Sequence, residues 1–306
     1  MLSFVFGKVI HNSFRIRYDG NPKLRYMDAE IAGRKSKPFS FYSNGNLLRG
    51  EKLYVGDIAS CKTALIFFHG AGAGHTAYTM EMSYFAKKGY LVYGYDNTGC
   101  MWSEGKEVGD LAHSILDVDA FFEYLKTDED YRGQRLFAIG HSWGGVAVAH
   151  CLKQDIPVEK CVALAGVCSL PDLYASQAKV PAWTKGPIGA YLKRRYGKDI
   201  LNDITLLKDT KKPFLYVYGE LDRLILDAKI NEIISQYSSQ NPNVSVKEVK
   251  NMGHNCYWTK KTESYIEDLM GKKAYRGLDC DPRIHFNTDM IQDDPALMNS
   301  LFDFFD

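Results

Sequence analysis

The sequence predicts an α/β domain with a doubly wound, mostly parallel sheet and a short cap inserted into it. Two observations carry that expectation. Five short apolar runs, "ALIFFHG" (64–70), "LVYGYD" (91–96), "LFAIGHS" (136–142), "CVALAG" (161–166) and "PFLYVYG" (213–219), each end in Gly, Asp or Ser. Continuous apolar runs of this length suit strands buried on both faces of a parallel sheet. Helical stretches fall between them, and alternation of this kind implies crossover connections.

The elements follow in order. The opening "MLSFVFGKVI" is apolar, without a basic region before it or a small-residue cleavage site after it, so it is expected to pack on the body or on a second subunit rather than act as a signal peptide. "KPFSFYS" and "LLRGEKLYVG" flank Asn44-Gly45-Asn46 and predict a β-hairpin with an Asn-Gly turn. Helices are expected over 76–88, stopped by Gly89, over 143–153 and over 227–237. Leu111, Ile115, Val118, Phe122 and Leu125 recur at spacings of three and four, which marks another. "VSVKEVK" (244–250) predicts a last strand and "PALMNSLFDFF" (295–305) a closing helix. Two stretches are too long for simple connections: 168–212, with three prolines and several aromatics, and 255–293. The expected organisation is therefore 1–60 as N-terminal segment and leading hairpin, 61–167 and 213–306 as core with an insertion at 255–293, and 168–212 as cap.

Composition excludes several classes. Lys and Arg (38) nearly balance Asp and Glu (37), so charge points to neither nucleic acid nor an anionic membrane as a partner, and no stable membrane insertion is expected. Seven scattered cysteines form no C-x-x-C pair, and H-E-x-x-H is absent, so neither a disulfide framework nor a metal site nor any other cofactor is expected. Thiols in a reducing compartment suggest a cytoplasmic protein. No run of eighteen apolar residues suggests a spanning helix, and the oligomeric state is left open.

The chemistry centres on Gly140-His141-Ser142-Trp143-Gly144, which satisfies G-x-S-x-G with strand before and helix after. The glycines allow a turn so tight that a Cβ would clash, and the serine is held in a strained conformation that exposes its oxygen. A serine hydroxyl needs a base, and the base an orienting acid. Asp222 and His254 follow the motif in the required order, each just past a predicted strand, at the carboxyl end of the sheet where Ser142 emerges. Glu220 and Asp172 compete as acids, and Asp227 is a candidate cap for the next helix; His141 sits inside the turn and is expected to pack structurally, and His113, His150 and His285 lack the strand-end context of a base. Acyl transfer also needs donors for a developing oxyanion, expected at the amides of Trp143 and of Ala71 in "FFHGAGAGH" (67–75). That loop lacks the spacing of a phosphate cradle, since His75 occupies the last position of G-x-G-x-x-G.

His69-Gly70-Ala71-Gly72, "DNTGCMWSEG" (96–105) and "GHSWGG" (140–145) together resemble the α/β-hydrolases of the monoglyceride lipase and lysophospholipase-like group, related to serine aminopeptidases. The resemblance spans roughly 60 to 306. The middle loop differs from the group's pattern at Thr98, Cys100 and Met101, where Arg, His and Gly are usual. The resemblance implies an α/β-hydrolase fold and a serine esterase acting on a small-molecule ester through Ser142, His254 and Asp222. Amidase, peptidase and thioesterase activity on the same triad, or ligand binding with little turnover, are the alternatives. Gly70, Trp102, Trp183 and Trp258 are the expected substrate contacts, and an aromatic mouth that also draws on Trp143, Tyr174 and Tyr191 favours an apolar acyl group. The cations of "KRRY" (193–196) are expected on a solvated helix face, and Cys256 is not expected to replace the serine.

Overall fold

Two extended segments, β1 (Lys35–Ser43) and β2 (Asn46–Tyr54), pair antiparallel in a computed structural model of the chain. It describes residues 2–20, 29, 32–197, 203–271 and 291–306. Asn44 and Gly45 connect the strands with φ of +47° and +81°. Both central residues of a type I′ turn need positive φ, which is why Asn-Gly sits there.

The hairpin joins β3 (Thr63–Phe68), β4 (Tyr90–Tyr95), β5 (Arg135–His141), β6 (Lys160–Leu164), β7 (Phe214–Gly219) and β8 (Val244–Val249) in one eight-stranded sheet of order β1-β2-β4-β3-β5-β6-β7-β8. All pairings from β4 to β8 are parallel. The apolar runs are the central strands, buried on both faces, whereas β8 alternates because it is an edge.

Helices cover both faces. These are α1 (Leu2–Ser13), α2 (Thr79–Lys87), α3 (His113–Leu125), α4 (Gly144–His150), α5 (Leu170–Gln177), α6 (Lys185–Tyr196), α7 (Arg223–Ala228), α8 (Ile230–Ser238), α9 (Lys260–Gly271) and α10 (Pro295–Phe305). The stripe of α3 is buried, with Leu111 just ahead of the helix. Asp294 caps α10 by accepting from the Leu297 amide at 2.8 Å. The N-terminal segment packs on the body: Gly7 lies so close to the Tyr191 ring of α6 that a Cβ would come within 2.2 Å of it. Beyond α1 the chain runs beside the 99–109 loop, with Tyr18 donating to Gly99 O and Met101 donating back to Tyr18 O. Among the described residues no helix is long and apolar enough to cross a membrane.

Three expectations on helices need correction. Residues 75–78 form a 3₁₀ turn before α2, and 151–153 another after α4. The helix expected over 227–237 begins at Arg223 and breaks at Lys229, whose φ is +60°. Asp222, not Asp227, provides the cap there. Within 168–212 lie α5 and α6, and α9 opens the 255–293 stretch; residues 272–290, with His285 and Cys280, lie outside the described residues.

Candidate active site

The turn from β5 into α4 holds Ser142 at φ +53°, an uncommon conformation for a residue with a side chain. Its surroundings enforce it. Ser142 N donates to Leu164 O of β6 at 2.9 Å, and Ser142 O accepts from Val167 N at 2.7 Å and Gly145 N at 3.0 Å. A Cβ on Gly140 would stand 2.6 Å from Gly144 O, and one on Gly144 would stand 2.2 Å from Phe68 O. Glycine at both positions lets β5, α4 and β3 approach to backbone contact.

The other two residues come from the ends of β7 and β8. Those ends are drawn together where a Cβ on Gly219 would meet Gly253 O at 2.1 Å and where Leu221 N donates to Met252 O at 2.9 Å. Asp222 is buried, with Oδ1 accepting from the Leu224 and Ile225 amides at 3.1 and 3.3 Å. Its Oδ2 lies 2.8 Å from His254 Nδ1, and His254 Nε2 lies 2.7 Å from Ser142 Oγ. The helix cap therefore fixes the carboxylate, and the carboxylate orients the imidazole toward the serine.

Residues 59–202 match a sequence model of the family described as serine aminopeptidase, S33. Solved structures agree in fold. The Pyrococcus furiosus esterase Pf2001 superposes with a TM-score of 0.60 at 19% identity over 82% of this chain and 95% of its own. The chain has the α/β-hydrolase fold. The α/β hydrolase GrgF from Penicillium sp. sh18 gives a TM-score of 0.51 at 15% identity, covering 78% of this chain and 96% of its own. The Pyrococcus horikoshii acylaminoacyl peptidase gives 0.55 at 18% identity, covering 82% of this chain and 39% of its own. At these identities the likeness is one of fold. No match appears among curated protein sequences.

In this fold the loop after β3 lies against the serine: a Cβ on Gly70 would come within 3.4 Å of Ser142 Cβ and 2.5 Å of the Tyr78 hydroxyl. Ala71 follows it, exposed. The end of the loop is anchored by Asp96, which accepts from His75 N at 2.7 Å, His75 Nδ1 at 2.8 Å and Trp102 N at 3.0 Å. Burial works against a charge on His75, but Asp96 and Glu51 outweigh it and hold the imidazole up at about 9. At neutral pH it is therefore a cation paired with Asp96. Met101, standing where the related group has Gly, keeps a left-handed φ of +37°, and its side chain packs on Gly74. Thr98 turns inward and bonds Asp117 through its amide and hydroxyl, both at 2.8 Å.

Of the expected aromatic contacts, Trp102 (48% exposed) and Trp183 (61% exposed) stand at the surface, with Trp102 edge-on to His75. Trp143 and Tyr174 are core residues instead: the Trp143 indole donates to Leu111 O at 2.7 Å, and Tyr174 Oη accepts from Leu111 N at 3.1 Å. Trp258 packs edge-on to Tyr257, and its indole meets Glu81. Competing acids are occupied elsewhere, Glu220 with Lys250 and Asp172 with Lys185. His150 pairs with Asp119, and the His113 ring packs edge-on to Tyr196. Lys193 and Arg194 are exposed, while Arg195 approaches Asp110 at 3.9 Å. Burial pushes the Cys256 thiol up to about 12, so it is no thiolate nucleophile.

Proposed function

We propose that this α/β-hydrolase is a serine esterase that cleaves carboxylic esters with an apolar acyl group through an acyl-enzyme. The observation that carries the reading is the chain Ser142 Oγ, His254, Asp222 at 2.7 and 2.8 Å, centred on a serine held at φ +53°. Ser142 attacks the ester carbonyl while His254 Nε2 takes its proton. Asp222 stabilises the imidazolium. The Trp143 N–H at the start of α4 and the Ala71 N–H, neither with an acceptor among the described residues, bind the oxyanion. His254 returns the proton to the leaving alcohol, and water repeats the sequence to release the acid.

Residues 168–212 are the cap over a core of 61–167 and 213–306, preceded by 1–60. Trp102, Trp183, Trp258 and Gly70 line the way in. The six described cysteines are buried and outside any disulfide, which supports a cytoplasmic setting. The matched family and the acylaminoacyl peptidase neighbour favour a second reading, amide or peptide hydrolysis on the same triad.

A fluorophosphonate probe and a panel of acyl esters, amides and thioesters test both. The expected result is rapid labelling of the native protein, none of Ser142→Ala, and turnover of esters first. Labelling with amides as the better substrates shifts the reading to a peptidase. A folded native protein that neither labels nor turns over is a binder, and the proposal fails.

A further inference from the structure

Behind the triad runs a second hydrogen-bonded chain that the mechanism above does not use. The Gly70 amide donates to Tyr78 Oη at 3.0 Å, Tyr78 Oη lies 2.8 Å from His141 Nδ1, and His141 Nε2 lies 3.1 Å from the backbone oxygen of His254. We propose that Tyr78 and His141 are positioning residues that tie the oxyanion loop to the base, so that the donor at Ala71 and the imidazole of His254 are held in one frame. The inference rests on reading Ser142, His254 and Ala71 as the reacting groups.

The proton positions follow from the partners. A carbonyl oxygen only accepts, so His141 Nε2 carries the hydrogen facing His254 O. The imidazole is neutral: burial holds its pKa well below the usual range, and the neighbouring His254 ring, 4.9 Å away, acts in the same direction. A neutral ring with hydrogen on Nε2 presents Nδ1 as acceptor, so Tyr78 O–H donates to it. Gly70 N–H then donates to a lone pair of that hydroxyl oxygen. Every link has one direction, and the chain orients as a unit.

Neutrality also matters to the chemistry. His254 becomes a cation in each half-reaction, and a second cation 4.9 Å away would oppose it. His141 can hold the His254 backbone without charge because its donor comes from the tautomer that Tyr78 selects. The Tyr257 ring packs edge-on to His141 at 5.0 Å and the Tyr78 ring against Phe67 at 5.1 Å, so neither partner can swing away.

Tyr78→Phe removes one oxygen and keeps the ring packing. It strands the Gly70 amide and His141 Nδ1, and the expected effect is a kcat lower by about 10- to 100-fold, the scale of misplacing a reacting group, with KM within about twofold. His141→Leu should do the same. The double variant should be no worse than the poorer single one, because both cut one chain. Multiplying effects, or a lower Tm with kcat intact, overturn the proposal. A native protein that fails to label or turn over brings down the triad reading instead, whereas normal kcat in folded Tyr78→Phe brings down only this inference. Should the variants not fold, the ring ¹⁵N shifts of His141 in the native protein decide. Neutral imidazole with hydrogen on Nε2 at neutral pH is required; imidazolium or the Nδ1–H tautomer overturns it.

Discussion

Around Ser142 the backbone positions are bound on all sides: Gly140 and Gly144 touch neighbouring main chain, and Asp222 spends one oxygen on a helix cap and the other on His254. Trp183, in the 3₁₀ turn before α6, is 61% exposed, and Trp102 is 48% exposed. The inner wall and the rim thus differ in what they fix. Proton transfer requires atoms placed to a few tenths of an ångström, and that demands dense, reciprocal hydrogen bonding. An apolar substrate needs only area, which an exposed ring supplies without a defined orientation. Substitutions in the wall should therefore act on kcat, and those at the rim on KM.

Asp222→Asn is the sharpest way to break the wall. Asparagine caps a helix as well as aspartate does, so Oδ1 can still accept from Leu224 and Ile225 and stability should change little. The side-chain amide would now donate toward His254 Nδ1, forcing the wrong tautomer on the base. The expected loss in kcat is about 10⁴-fold, as in Ser-His-Asp hydrolases generally, with Tm nearly unchanged. An equal fall in Tm and activity would mean that Asp222 serves the fold alone.

The wall was legible in the sequence because its demands are local and chemical. Glycine spacing around Ser142 reflects backbone contact, and the strand ends carrying Asp222 and His254 follow from parallel topology. The break at Lys229 was not legible, since nothing in lysine's propensities announces a left-handed residue there. Nor was the Tyr78–His141 bond, which joins positions 63 apart on different elements. His141 reads as a packing residue in isolation and acquires its role only from two partners. Trp143 misled as a mouth residue because position along the chain does not reveal on which side of a turn a ring falls.

Away from the triad lies an acid pair, the buried Glu81 of α2 and the half-buried Asp293, whose carboxyls meet beside the Trp258 indole. Among the described residues the other titratable groups facing them are tyrosines, Tyr257 and through it Tyr78, with no cation. Burial raises both carboxyls, Glu81 to about 7 and Asp293 further through the charge of Glu81. A carboxyl whose pKa is raised on folding stabilises below its unfolded value, and that stability is lost as pH rises through the folded one. Stability should fall between the ordinary carboxylate range and about 7, by on the order of a few kcal/mol for shifts of this kind. Glu81→Gln should flatten the slope in a series of denaturant melts across that range. An unchanged slope would show that the pair does not share a proton. Trp258 and Asp293 also pair through a backbone bridge, so this slope reports how firmly these two residues are held against Glu81 of α2.

The smallest effect belongs to the rim. Trp183→Ala removes a ring that is mostly in water, so stability should stay within about 0.5 kcal/mol. If the ring meets the acyl chain, its loss should raise KM for long-chain esters by roughly three- to tenfold, equivalent to about 1 kcal/mol, while leaving short-chain esters and kcat alone. The comparison of chain lengths matters more than either value. A uniform rise in KM would put Trp183 on the path of every substrate, and no change at any length would leave Trp102 as the exposed ring through which the apolar group is recognised. Either outcome keeps the division between wall and rim, because neither moves the proton-transfer step. A loss of kcat with short esters would erase it, since a side chain this exposed could reach the reacting atoms only by holding the cap in place.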